Sequence, residues 1–176
     1  AIELTEFKGK IEFKDVWFSY LPDEWILKGV SFTIMPNETV AFVGSTGSGK
    51  STLIQLIPRL FDATNGEIKF NDINIKDYDL NSLRQKIGYI LQKALLFKGT
   101  IEENITYGMK DYDEEQIKKA IKISQSEEFI KSKPKGLQDE VSELGSNLSG
   151  GQRQRISIAR AIAKNPDIFV FDDSFS

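Results

Sequence analysis

The sequence has 176 residues, of which 40% are apolar and 28% charged, which is enough for one globular domain or for two small lobes that share a core. Its net charge of -3, with scattered Lys and Arg residues, gives no electrostatic support for nucleic-acid binding. The absence of cysteine excludes a disulfide framework, and no apolar run approaches the roughly 20 residues that a membrane-spanning helix requires.

The first half of the chain is predicted to be rich in β-strands. Residues 1–10 are polar and aperiodic and are interpreted as a linker. Segments rich in β-branched and aromatic residues, typical of strands, lie at residues 11–20, 25–34, 39–43 and 67–70. A helix is predicted over residues 51–57 and ends near Pro58, whose ring cannot continue it.

A glycine-rich loop joins the strand at 39–43 to this helix and matches the phosphate-loop pattern GxxxxGK[ST]. Its residues are Gly44, Ser45, Thr46, Gly47, Ser48, Gly49, Lys50 and Ser51. Glycines let successive N–H groups converge on phosphate oxygens, and the helix N-terminus adds its dipole. Lys50 is expected to reach the β- and γ-phosphates, and Ser51 to bind Mg²⁺. The alternative is a Gly/Ser-rich turn with a chance lysine, and by itself the motif indicates only a P-loop NTPase.

The second half alternates helices with short strands. A strand is predicted at 87–91, followed by helices at 100–104, 113–124 and 149–164, and a buried strand at 168–171. Asp113 is a candidate N-cap with Gln116 at the capping-box position. This order predicts a mostly parallel nucleotide-binding core, residues 11–92 and 151–176, with a helical lobe over about residues 93–150.

Asp172 follows the last strand, where a buried strand can deliver a carboxylate to a bound metal. An ordinary core strand followed by a solvated acid is the alternative. Asp172 becomes a candidate Mg²⁺ ligand only because the phosphate loop precedes it.

A second glycine motif, Leu-Ser-Gly-Gly-Gln at residues 148–152, lies at the start of the helix predicted at 149–164. Ser149 can begin that helix, and Gly150 and Gly151 offer bare backbone for a second anion site. One chain does not need two such sites for one triphosphate, whereas a head-to-tail dimer does. The alternative is a helix cap over a basic amphipathic helix. With the residues that follow it, the motif resembles the signature of ATP-binding-cassette (ABC) ATPases.

This resemblance extends over nearly the whole chain and implies an α/β fold. The implied fold is a P-loop NTPase core, a mostly parallel sheet flanked by helices, with an N-terminal antiparallel β subdomain and a helical insert. The resemblance also implies ATP and Mg²⁺ as cofactors. Tyr20 matches the aromatic residue that stacks on adenine, although a core aromatic is nearly as good an interpretation. Gln92 matches the glutamine that contacts Mg²⁺ and the attacking water. The nucleotide site implied in this way adds Thr52, Ser149, Gly150, Gly151 and Gln152 to the phosphate loop.

Three further segments resemble the exporter branch of the family. They are residues 8–13, which resemble the junction after a transmembrane domain, residues 97–105 after the glutamine, and the acidic loop 139–145. Ser142 and Leu144 depart from the Gly and Arg that the acidic loop normally carries. The resemblance implies a transmembrane domain and a second nucleotide-binding domain as partners, no nucleic acid, and a position at the cytoplasmic face of a membrane.

Asp173 stands where the family normally carries a glutamate as general base. Its side chain is one carbon shorter, which withdraws the carboxylate by about 1.5 Å. This resembles the slow half of heterodimeric exporters, although an introduced aspartate would look the same in the sequence. The family's later dimer-contact segment and γ-phosphate histidine do not occur here, so the chain is interpreted as truncated before its last strands.

Two other functions are compatible with the motifs. A soluble ABC ATPase that acts on DNA or ribosomes would need a basic surface, which this sequence does not provide. That function also does not account for the exporter-like segments. A regulatory module that holds ATP without hydrolysing it is compatible with Asp173. The cargo of an exporter is not encoded here, because cargo contacts lie in membrane helices.

Overall fold

The computed structural model describes residues 1–91 and 93–172, so Gln92 and residues 173–176 lie outside the described part of the chain. The strands are β1 Ile11–Ser19, β2 Trp25–Ile34, β3 Asn65–Phe70, β4 Ile73–Asn74, β5 Ile87–Ile90, β6 Gly99–Thr100, β7 Glu140–Val141 and β8 Ile168–Phe171. The helices are α1 Lys50–Gln55, α2 Leu80–Gln85, α3 Ile101–Ile105, α4 Glu114–Ile123, α5 Glu127–Ser132 and α6 Gly150–Ala163. The chain divides into two compact units, Ala1–Lys86 and Ile87–Ser176.

The first unit contains a four-stranded antiparallel sheet in the order β2-β1-β3-β4. Alternate residues of β1 are buried up to Phe13, and the alternation resumes one residue out of phase at Val16. Asp15 adopts a φ of 45°, and the pairing register between β1 and β2 shifts over the same residues. This bulge keeps the apolar side chains of both halves of β1 on the core face.

The chain's first residues contact this unit. The Ile2 N–H donates to the Asp77 carbonyl at 2.7 Å, and the Leu4 N–H donates to the Ser82 hydroxyl at 2.9 Å. Leu4 is buried. The segment interpreted as a linker is therefore held against the first unit, and its connection to a preceding domain stays a prediction.

The strand predicted at residues 39–43 is wrong. None of the described residues forms a β-ladder with this segment, and Val43 is 93% exposed. An apolar, β-branched run becomes a strand only when a neighbouring backbone satisfies its N–H and C=O groups, and here no such neighbour is present among the described residues.

The second unit contains the parallel pair β5–β8 and a helical cluster around α6. The most deeply buried side chains of this cluster come from the loop before α3, from α3, from β7 and from α6: Leu96, Ile101, Ile105, Val141 and Ile156. The predicted apolar face of α4 is confirmed, since Ile117, Ala120 and Ile121 are all buried. The sequence did not predict α5, which is only six residues long.

The capping prediction for α4 is half correct. The Asp113 carboxylate accepts the Gln116 N–H at 2.7 Å, as expected of an N-cap. The Gln116 side chain, however, donates to the Ala163 carbonyl at the end of α6 at 2.7 Å. It therefore joins two helices of the second unit, because the last carbonyls of α6 need donors that the helix itself cannot supply.

Candidate functional site

The phosphate loop is an exposed turn that leads into α1. Gly47 and Gly49 have φ angles of 81° and 92°, in the left-handed region that favours glycine. A Cβ atom on Gly44 would lie 2.6 Å from the Ser48 hydroxyl, so a side chain there would require the Ser48 side chain to move. The loop conformation therefore favours glycine most strongly at Gly47 and Gly49, and it keeps the backbone accessible to a ligand.

Lys50 begins α1, and its ammonium group donates to the Gly44 carbonyl. The cation is thus turned back over the loop that precedes it. A Cβ atom on Gly49 would lie 3.1 Å from the Leu27 side chain, so a glycine also lets the loop approach β2. The predicted phosphate ligands are contiguous in the exposed loop and the first turn of α1: Gly44, Ser45, Thr46, Gly47, Ser48, Gly49, Lys50 and Ser51.

Tyr20 lies just beyond the end of β1 and is 49% exposed, so it is not a core aromatic. Its hydroxyl lies 3.2 Å from the Thr52 hydroxyl and donates to the Gln55 side-chain carbonyl at 3.3 Å. Thr52, predicted to belong to the nucleotide site, is buried at this contact. The structure therefore places Tyr20 against α1, the helix that follows the phosphate loop, within the first unit.

The acidic residues of the predicted site belong to the second unit. Asp172 is 9% exposed, and its N–H donates to the Ile90 carbonyl at 2.9 Å, extending the β5–β8 pairing by one residue. Gln92 and Asp173 lie outside the described residues. Their roles remain predictions from the sequence.

The signature motif forms the N-terminus of α6, as predicted. The Ser149 hydroxyl accepts the Gln152 N–H at 3.1 Å, and the Gln152 side-chain carbonyl accepts the Ser149 N–H at 3.1 Å. This reciprocal pair is a capping box. Among the described residues, a Cβ atom on Gly151 would meet nothing within 4 Å, and a Cβ atom on Gly150 would meet only the end of the Arg153 side chain at 3.9 Å.

Packing within the described part of the chain therefore does not require the two glycines of the signature. Glycine in a helix is less favourable than alanine by roughly 1 kcal/mol, so Gly150 and Gly151 weaken the first turn of α6. What they provide is an exposed backbone that a ligand or a partner can approach closely.

The arginines after the signature differ in their surroundings. Arg153 donates to the Leu148 carbonyl at 3.1 Å and to the Gly145 carbonyl at 3.4 Å, so it ties the preceding loop to α6. Arg155 is exposed. Of these two arginines, only Arg155 therefore lies on the solvated face of α6.

The sequence did not predict a polar network that connects the segment 97–105 to α6. Asn104 is 2% exposed. Its side-chain carbonyl accepts the Phe97 N–H, and its side-chain NH₂ donates to the Phe97 carbonyl, each at 2.8 Å. Arg160 of α6 donates to the Asn104 carbonyl at 2.7 Å and to the Leu95 carbonyl at 2.8 Å. Burial lowers the pKa of the Arg160 guanidinium below its usual value, and the Tyr107 hydroxyl opposes that shift. The available signal was the position of Arg160 four residues after the buried Ile156, which places both side chains on the same side of α6.

In the acidic loop, the two residues that depart from the exporter pattern have distinct environments. The Ser142 N–H donates to the Asn147 side-chain carbonyl at 2.9 Å. Leu144 has a φ of 57° and is 64% exposed, an unfavourable combination for a branched apolar residue. Nothing in residues 1–91 and 93–172 explains leucine at this position.

Comparison with known proteins adds independent findings. The sequence model of a family described as ABC transporter matches residues 27–176. The chain is 46% identical over 177 residues to the putative multidrug export ATP-binding/permease protein YgaD of Bacillus subtilis, with coverage of 100% of this chain and 30% of that protein. It is 43% identical over 176 residues to the ATP-dependent lipid A-core flippase of Syntrophus aciditrophicus, with coverage of 100% and 29%.

A solved structure of a bacterial Atm1-family ABC exporter with ATP bound matches 99% of this chain with a TM-score of 0.93 and 37% identity. This match confirms the fold class predicted from the sequence. The chain covers 30% of the length of that exporter and of YgaD. Among the helices of residues 1–91 and 93–172, none is long and apolar enough to cross a membrane.

Proposed function

Since this chain belongs to the ABC transporter family and is homologous to the ATP-binding domains of exporters, we propose that it binds and hydrolyses ATP with Mg²⁺ as one domain of a longer export protein. The observation on which this proposal depends is the conformation of the phosphate loop. Gly47 and Gly49 adopt left-handed φ angles, which favour glycine, and Lys50 turns its ammonium group back over the loop. A triphosphate placed there meets the N–H groups of the loop and the Lys50 cation.

The family resemblance assigns three oxygen donors to Mg²⁺. They are the hydroxyl of Ser51, the carboxylate of Asp172 and the side-chain amide oxygen of Gln92. Mg²⁺ prefers oxygen ligands of these kinds and, when bound, neutralises charge that develops on the phosphates. Ser51, Gln92 and Asp172 are proposed to hold the metal, and Gln92 and Asp173 to orient the attacking water.

The partners follow from the exposed signature. A second nucleotide-binding domain, on a different chain, would dock head to tail and place its own ATP against Ser149, Gly150, Gly151 and Gln152. A transmembrane domain would contact the acidic loop from the membrane side, with this domain at the cytoplasmic face. The names of the exporter relatives support this assignment. The isolated chain is expected to hydrolyse little ATP, because each complete site needs residues from two domains.

Lys50→Ala tests the site directly. The substitution removes the cation from the loop, so we expect ATP affinity to fall on the order of a hundredfold, since charge-assisted hydrogen bonds to phosphate are the strong ones. Equilibrium binding of labelled ATP measures this. Lys28→Ala, which removes an exposed charge from β2, is the matched control and should bind normally. Equal ATP binding by Lys50→Ala and the parent chain would show that the site is misassigned.

Tyr20→Ala tests base recognition. If the ring stacks on the purine, its loss should weaken ATP binding by roughly 1–3 kcal/mol, by analogy with base–aromatic stacking in nucleic-acid complexes. ATP and GTP should differ little, because every purine presents a π-face. The control is Tyr112→Ala, which removes a comparably exposed tyrosine of the second unit. An unchanged ATP dissociation constant for Tyr20→Ala would assign Tyr20 a purely structural role.

A further inference from the structure

The hydroxyl of Tyr20 contacts two residues on one face of α1. It lies 3.2 Å from the Thr52 hydroxyl and donates to the Gln55 side-chain carbonyl at 3.3 Å. Residues three apart on a helix are neighbours on its surface, so both contacts fall on the same side of α1. The helix that begins with Lys50 therefore also holds the far end of the Tyr20 side chain.

Two other aromatic rings restrict the Tyr20 ring. Phe18 lies 4.8 Å away at 90°, and Phe61 lies 5.2 Å away at 85°, both edge-to-face arrangements. The ring is nevertheless half exposed, so part of its surface remains available to a ligand. Its orientation is thus set at the hydroxyl by α1 and along the ring by Phe18 and Phe61.

We propose that the hydroxyl of Tyr20, held by Thr52 and Gln55, is a clasp that aligns the base-binding ring with the phosphate loop. This inference rests on the proposed function, in which the ring stacks on the purine. In the clasp, Gln55 is a positioning residue that acts through Tyr20. The ligand class is a purine nucleoside triphosphate, whose base and phosphates must be bound at a separation that α1 determines.

The clasp should favour binding by ordering the ring before the ligand arrives. Without the contacts of its hydroxyl, the Tyr20 ring can still stack on a base. Its rotation must then be restricted during binding, which reduces affinity. Inorganic tripolyphosphate carries no base, so its affinity should not depend on the clasp. This difference separates a positioning role from general support of the loop.

The experiment titrates ATP and inorganic tripolyphosphate against the full 176-residue chain and its variants. Tyr20→Phe keeps the ring and removes the hydroxyl, and Gln55→Leu removes one partner of that hydroxyl. We expect each to raise the dissociation constant of ATP about three- to tenfold, with tripolyphosphate binding unchanged. In the Tyr20→Phe background, Gln55→Leu should have no additional effect, because it acts through the hydroxyl.

Tyr78→Phe is the matched control. The Tyr78 hydroxyl is also hydrogen-bonded within the first unit, but it donates to the Phe70 carbonyl of β3 at 3.0 Å. This variant should lower the melting temperature without changing ATP affinity. A general effect of losing a tyrosine hydroxyl would therefore appear in both tyrosine variants.

The clasp is contradicted if Tyr20→Phe binds ATP as tightly as the parent chain. It is also contradicted if tripolyphosphate binding weakens equally, or if Gln55→Leu still weakens ATP binding in the Tyr20→Phe background. Lys50→Ala separates these failures from failure of the proposed function. If Lys50→Ala loses both ligands while Tyr20→Phe has no effect, only the clasp is wrong. If the parent binds neither ligand, or Lys50→Ala changes nothing, the nucleotide site itself is wrong, and the clasp with it.

Discussion

In the full-length protein, Asp173→Glu is expected to accelerate hydrolysis of the ATP held by this chain's phosphate loop on the order of a hundredfold, because the longer side chain returns the carboxylate to hydrogen-bond reach of the water. Single-turnover hydrolysis of labelled ATP in the assembled protein measures this rate. The reason is geometric: aspartate carries the same charge as glutamate but ends about 1.5 Å short.

Two variants make the Asp173→Glu result interpretable. Asp173→Asn removes the base entirely and should lower whatever slow rate the parent shows. Asp111→Glu makes the same chemical change at an exposed position of the second unit and should alter nothing. An Asp173→Glu protein that hydrolyses this ATP at the parent rate would mean that the aspartate is not what limits the site.

Ser149→Arg is expected to abolish most steady-state ATP hydrolysis of the complete assembly. In the proposed head-to-tail dimer, Ser149 and Gly151 complete the site on a partner that carries glutamate, and loss of one such donor costs on the order of a hundredfold to a thousandfold in rate. Arginine also fills the open space over the exposed glycine backbone. Steady-state phosphate release is the measurement.

The capping role of Ser149 requires a control for folding, because losing an N-cap costs about 1 kcal/mol. Ser149→Thr keeps a capping hydroxyl and should preserve the stability of α6. Ser132→Arg introduces the same bulk and charge at another exposed serine and should leave turnover unchanged. The proposed asymmetry consists of a slow site on this chain's loop and a fast site on the partner. It is excluded if Ser149→Arg retains normal turnover, or if this chain pairs with itself and hydrolyses both ATPs equally fast.

In the proposed dimer the two substitutions act on different sites. Their effects have opposite signs because Asp173→Glu restores the reach of the base, whereas Ser149→Arg removes a contact to the phosphate. Asp173→Glu changes the ATP that this chain's own loop holds, whereas Ser149→Arg changes the ATP held by the partner. A slow site beside an intact signature predicts acceleration in the first case and loss in the second. A symmetric, fully active dimer has no slow site for Asp173→Glu to accelerate.

Features whose partners lie within three or four residues could be derived from the sequence. Asp113 accepts the Gln116 N–H and Ser149 begins α6, as expected, because a helix N-terminus leaves donors that adjacent side chains can reach. The phosphate loop is a similar case, since left-handed φ angles at Gly47 and Gly49 are a property of those residues. The family resemblance, and with it the fold class, depends on such local motifs.

Features that depend on a partner far along the chain were decided by the tertiary structure. Residues 39–43 have strand composition but gain no hydrogen-bonded neighbour among the described residues. The Gln116 amide reaches α6 instead of its own N-cap, and the Arg160 guanidinium turns inward to Asn104. The Tyr20 hydroxyl finds Thr52 and Gln55 only because folding brings the end of β1 against α1. Composition and periodicity describe what one segment favours by itself, whereas these contacts depend on which polar group folding brings within hydrogen-bond distance.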